Sequence, residues 1–81
     1  MTIVDTPPAD RTAYLPRYAV ACLPWQAKPY ITSRHRTRHA AETRSRRDCA
    51  EFRRHNSAGS YGYQWVPVQA LADGAWLRLW D

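Results

Sequence analysis

The chain has 81 residues, 44% hydrophobic, 12% aromatic and 23% charged, with Lys+Arg 12 against Asp+Glu 7 and a formal net charge of +5. So short a chain forms one small domain with little material to wall off a deep catalytic cavity, which favours a binding role and a non-enzymatic protein. No apolar run approaches the roughly 20 residues of a membrane span. The N-terminus carries Asp5 and two prolines where a secretory signal needs a basic patch and an apolar core. The arginine-rich, lysine-poor, alanine-rich usage points to a bacterial or phage genome, and the expected location is the cytoplasm of a bacterial host.

Residues 1–16 hold Pro7, Pro8 and Pro16 without sustained periodicity, so they read as an extended or partly disordered lead-in to a single small α+β domain over residues 17–81. From Tyr18 to Leu23 the residues are aromatic, small or apolar on both parities, the pattern of a strand buried on both faces. Pro24 and Pro29 bracket a turn, and Tyr30–Ser33 reads as a second strand paired to the first in a hairpin.

From Thr37 the period becomes helical. At 100° per residue, Ser45, Cys49 and Phe52 fall within about 80° of Ala41, so small and apolar residues form one stripe. Thr37 can cap the helix with its hydroxyl, and Asn56–Ser60 is a cluster of C-capping and turn residues that ends it. Glu42 with Arg46 and Arg47 with Glu51 are spaced as i,i+4 ion pairs. Asp48 falls near the core stripe, and the wheel leaves open whether it is buried with Arg44 or His55 or turned outward.

Beyond Gly59, Tyr61, Tyr63 and Trp65 alternate with Gly62, Gln64 and Val66 in a third strand, and Pro67 points to an edge or a bulge at its end. Asp73-Gly74 is a turn dipeptide, followed by a fourth strand in which Trp76, Arg78 and Trp80 alternate with Ala75, Leu77 and Leu79. The expected fold is a four-stranded antiparallel sheet in ββαββ order with the helix on one face. Ala41, Cys49 and Phe52 would face Val20 or Cys22, Leu77 and Leu79, with the leucines as core and the strand order left open.

The charge is concentrated. Between Arg34 and Arg54 lie eight arginines and three acids, a local excess equal to the net charge of the whole chain. Arg46, Arg47, Arg53 and Arg54 flank Ala50 on the helix face opposite the stripe, and Arg34, Arg36 and Arg38 extend the patch into the connection before the helix. Planar guanidinium groups stay charged and bind carboxylate or phosphate through paired hydrogen bonds. Concentrating them costs self-repulsion that a mixed surface avoids, so an acidic partner, protein or nucleic acid, is expected.

Ten aromatic residues are more than one sheet face under one helix hides. Some of Tyr61, Tyr63, Trp65, Trp76 and Trp80 are therefore expected on the uncovered face, and Tyr61, Tyr63 and Trp65 are candidate partner-binding residues there, as base-stacking rings or interface anchors. Cys22 and Cys49 are expected to be packed thiols in a reducing compartment. His35 and His39 with either cysteine lack zinc-ligand spacing, and no Ser-His-Asp set, carboxylate pair or glycine-rich phosphate loop is visible. No catalytic residue, metal or cofactor is expected.

In size and element order, from Tyr18 to Asp81, the chain resembles small phage and mobile-element inhibitor proteins, in particular the anti-CRISPR proteins that disable type I surveillance complexes. The resemblance implies a protein–protein inhibitor, serving phage evasion of host defence, that binds a Cas7-like or Cas8-like subunit and prevents target DNA from docking. Many DNA-blocking members are acidic and imitate DNA. This chain is basic, so the resemblance implies steric blocking, with Arg46, Arg47, Arg53 and Arg54 on an acidic protein surface. A small nucleic-acid-binding module using the same arginines and the strand aromatics is the other expectation, and a monomer or a homodimer paired through the C-terminal strand or the aromatic face fits either.

Overall fold

The structure, a computed structural model, describes residues 2–9, 17–55 and 62–80. The expected helix end at Asn56–Ser60 and Tyr61 lie outside these residues. Five strands and one helix follow in the order β1 (Thr2–Val4), β2 (Tyr18–Leu23), β3 (Tyr30–His35), α1 (Arg38–His55), β4 (Gln64–Ala70) and β5 (Trp76–Arg78). The strands form one antiparallel sheet in the order β1-β5-β4-β2-β3.

The fold class is α+β with a helix against the sheet, but the four-stranded ββαββ expectation is one strand short. The additional strand comes from the lead-in: Thr2 pairs with Arg78 and Val4 with Trp76. Three residues are too few to show a period. Their backbone instead pairs with the free edge of the C-terminal strand, and all three side chains are β-branched, which suits the extended chain. That strand is consequently interior, so two copies have no open edge there through which to pair.

Local signals elsewhere behave as expected. Thr37 caps α1, its Oγ1 accepting from the Ala40 N–H at 3.1 Å. The Asp73-Gly74 turn closes with the Gly74 N–H on the Leu71 carbonyl at 3.0 Å and the Ala75 N–H on Asp73 Oδ1 at 3.0 Å. The hairpin between β2 and β3 turns through Gln26 at φ 62°. A bulge leaves Thr32 unopposed between Ser33 and Ile31, with its hydroxyl donating to the Val20 carbonyl at 3.2 Å.

Ala19, Val20, Ala21 and Cys22 are fully buried, as the two-sided apolar pattern of β2 requires. On one side lies α1, which brings fully buried Ala41 and Ser45 onto β4 and β2. On the other side Ala19, Ala21, Val66 and Val68 pack with Val4, Ala9 and Trp76 in the main apolar cluster. The chain after β1 helps cover this second face. The Trp76 indole N–H donates to the Pro7 carbonyl at 2.9 Å, and the Ala9 N–H to the Gly74 carbonyl at 2.6 Å.

The C-terminal strand therefore reverses the expected inside and outside. Trp76 is 1% exposed while Leu77 and Leu79 are only half-buried. Pro67 is also not at an edge but within β4, between β5 and β2. Opposite it, the Leu79 N–H donates to the Pro67 carbonyl at 3.0 Å, and proline has no N–H to return. The ladder stops at Arg78, and Trp80 turns to the helix side instead of sharing a face with Trp76.

Ser45 Oγ, in the middle of α1, is buried without a hydrogen-bond partner among the described residues. Ser45→Ala removes a desolvated hydroxyl and improves helix propensity, so chemical unfolding should show a gain of about 1–2 kcal/mol. A loss in that measurement would mean the hydroxyl is partnered.

Candidate binding surface

The periodicity of α1 sets its outer face: Arg46, Arg47, Ala50, Arg53 and Arg54 are all exposed. Arg47 reaches Glu51 at 3.9 Å with both side chains exposed, a contact of little energetic weight. Arg53 and Arg54 pair with no carboxylate among the described residues, and they sit in the last turn, where the helix dipole tolerates positive charge. Arg36 is likewise exposed in the connection before α1.

Arg38, Arg44 and Arg46 have structural partners. Arg38 pairs with Glu42 at 3.7 Å. Glu42 therefore does not make the expected ion pair with Arg46, and its Oε2 accepts the Trp80 indole N–H at 3.0 Å. Arg46 lays its guanidinium over the Trp80 ring, 5.2 Å from the centroid. Arg44 donates through Nε to both Asp48 oxygens, at 3.0 and 3.2 Å, which places Asp48 with Arg44.

Arg34 departs from the patch. It pairs in register with Ala19, whose side chain faces away from α1, and its guanidinium lies 5.5 Å from the Trp76 ring centroid on the far side of the sheet.

The strand aromatics were expected on the uncovered face, and the structure places Tyr63 and Trp65 on the helix side. Trp65 opposes Cys22 in register and meets Phe52 of α1 at 5.2 Å between ring centroids. Tyr63 meets Phe52 at 5.2 Å and Trp65 at 6.5 Å. Trp65 is half-buried, whereas Tyr63 is 48% exposed. Two further exposed rings escaped the sequence reading: Trp25 at 69% and Tyr30 at 48%. The only sequence signal for Trp25 was its place in a proline-bracketed turn.

A groove of about 380 Å³ runs between α1 and the sheet, lined by Thr32, Arg44, Asp48, Glu51, Phe52, His55 and Trp65. Near it, Ser33 Oγ and His35 Nε2 are 2.8 Å apart. Cys22 is buried and Cys49 half-buried, both unbridged. Burial pushes the Cys22 thiol up, and Cys49 Sγ lies 3.5 Å from the Trp65 carbonyl, in keeping with packing roles.

The Trp80 hydrogen bond, aided by Arg38, Arg46 and His39, holds the Glu42 carboxyl below its ordinary range. A depressed carboxylate stabilises the fold above its unfolded pKa, about 4.3, and this contribution is lost as pH falls through the lower folded value. Burial, then Arg44, lowers the His35 pKa, so stability also declines as pH drops below about 6.5. Tryptophan fluorescence during acid titration should report the Glu42 step, and Glu42→Gln should remove it. An unchanged profile in that variant would contradict the assignment.

No helix among the described residues is long and apolar enough to cross a membrane. No protein family, curated protein or solved structure matches the chain.

Proposed function

We propose that this chain is a non-enzymatic binding protein that takes an acidic macromolecule against the outer face of α1. The observation that carries the reading is the display of Arg46, Arg47, Arg53 and Arg54 around Ala50, with Arg53 and Arg54 unpaired among the described residues. Exposed guanidinium groups with no internal partner keep their forked donors free for carboxylate or phosphate. The one groove described above has its Arg44 and Asp48 side chains engaged with each other, which supports a structural more than a chemical role for that wall.

One form of the reading follows the anti-CRISPR resemblance: in the host cytoplasm, the basic face covers an acidic surface of a Cas7-like or Cas8-like subunit and blocks DNA docking. The other form is a nucleic-acid-binding module, and it is favoured by a specific observation, the exposed Tyr63 ring packed through Phe52 onto the last turn that carries Arg53 and Arg54.

The test is fluorescence anisotropy with a random oligonucleotide across a salt series, using the native chain and the variant with Arg46, Arg47, Arg53 and Arg54 all changed to Glu. Salt-sensitive binding lost in the variant supports the nucleic-acid form. No oligonucleotide binding, together with inhibition of a purified type I complex that the variant lacks, supports the inhibitor form. A variant that matches the native chain in both assays overturns the reading.

A further inference from the structure

We propose that the end of the sheet beside the last turn of α1 is a stacking platform for unpaired bases, built from Trp25, Tyr30 and Tyr63. The acidic partner is then a single-stranded nucleic acid, an inference that rests on the nucleic-acid form of the proposed function.

The register brings these rings to one end. Tyr30 opposes Cys22 and Cys22 opposes Trp65, so Tyr30 and Trp65 share the helix-side face, with Tyr63 two residues further along it. Phe52 of α1 packs on both Trp65 and Tyr63, yet Tyr30 and Tyr63 stay half exposed. Tyr30 opens β3 and Tyr63 immediately precedes β4, two strands separated by β2, and the spacing of strands sets such positions about 10 Å apart in the pairing direction, which leaves each ring open to a base of its own. Trp25 closes the group from the hairpin turn between β2 and β3. Gly62, at φ +86°, is seated on it: a Cβ at position 62 would lie 2.2 Å from the Trp25 Cβ. The stem of the indole is thereby braced against the residue preceding Tyr63 while the ring remains open to solvent.

Large rings are ordinarily withdrawn from water, and three exposed at one end of so small a domain mark a contact surface. The surrounding charge selects the occupant. Arg53 and Arg54 lie in the last turn of α1 and Lys28 in the hairpin turn, which contains no acid between Pro24 and Pro29. A second copy would bring these cations against one another. A single strand instead offers π-faces to the rings and phosphates to the cations, and any base can stack, so no sequence-reading group is required.

The test measures affinity for an oligothymidylate of about 15 nucleotides and for its duplex with oligoadenylate, by anisotropy at low salt. The single strand should bind more tightly than the duplex. Trp25→Ala, Tyr30→Ala and Tyr63→Ala should each weaken single-strand binding about 5- to 150-fold, while Tyr30→Phe and Tyr63→Phe retain it. Circular dichroism of the alanine variants confirms that the fold is intact. Equal binding of both forms, or alanine variants that bind like the native chain while Arg53→Glu with Arg54→Glu does not, overturns the platform and leaves the basic face standing. Absence of binding to either oligonucleotide defeats the nucleic-acid form itself, and the platform with it.

Discussion

Alanine at Trp76 should remove a large share of the stability the protein has at 25 °C. The ring is 1% exposed and occupies the sheet face formed by Ala19, Ala21, Val66 and Val68. Two of those neighbours are alanines, too short to collapse into the space left behind. Truncating a buried large aromatic residue costs about 3–5 kcal/mol. At roughly 0.05–0.15 kcal/mol per residue, the whole domain has only about 4–12 kcal/mol. The indole N–H also ties down the Pro7 carbonyl, so the variant loosens the chain between β1 and Ala9 that covers this face. Thermal unfolding followed by circular dichroism should show a midpoint lowered by at least about 12 °C. Trp76→Phe, which keeps most of the bulk and loses the hydrogen bond, should cost about 1–2 kcal/mol. A drop of only a few degrees for the alanine variant would mean that the second face is not a cooperative part of the core.

Reversing Arg46, Arg47, Arg53 and Arg54 to glutamate should have the largest effect on binding. Each exchange moves two charges, so the net charge of +5 changes sign. If the four groups neutralise four phosphates, the log–log salt dependence should flatten by about 3–4 and affinity at low salt should fall by roughly two to three orders of magnitude. On an acidic protein surface the same variant should lose binding through like-charge repulsion, mostly by slower association. Stability should change little, because the four side chains are exposed and the Arg47–Glu51 pair is weak. Arg46 is the exception: its guanidinium covers the Trp80 ring, and a carboxylate there would stand near Glu42. The triple variant with Arg46 retained separates the two effects. If it loses binding and keeps the native unfolding midpoint, the loss comes from the surface and not from the fold.

The two pH-sensitive contacts bear on how such measurements are made. As the pH falls Glu42 loses its stabilising contribution and protonation of His35 works against the fold, so binding near neutral pH is read on the most robust form of the domain. Salt titrations at acid pH would mix changes in affinity with changes in stability.

The features legible in the sequence are those set within a few residues of one another. The Thr37 cap, the Asp73-Gly74 turn, the hairpin bracketed by Pro24 and Pro29, and the stripe through Ala41 and Ser45 depend on local backbone chemistry and on the helical period. The outer arginine face follows from that same period. The two-sided apolar run of β2 marks that strand as buried on both faces, yet the expected architecture gave the sheet a helix on one face and no second cover. That cover comes from β1 and the chain after it, joined to Trp76 by a hydrogen bond to Pro7 across 69 positions, and three strand residues beside two prolines carry no periodic signal. The same long-range contact decided that Trp76 and not Leu77 is core. Pro67 opposite Leu79 decided that Trp80 turns to the helix, where it captures Glu42 and Arg46. Register placed Arg34 across the sheet from the arginines it adjoins in sequence, and gathered Trp25, Tyr30 and Tyr63 at one end. The sequence by itself thus determined the helix, four of the five strands and the basic outer face of α1. Only the tertiary structure decided which aromatic rings are buried and which are presented, because strand order and register bring together residues whose separation along the chain leaves no local trace.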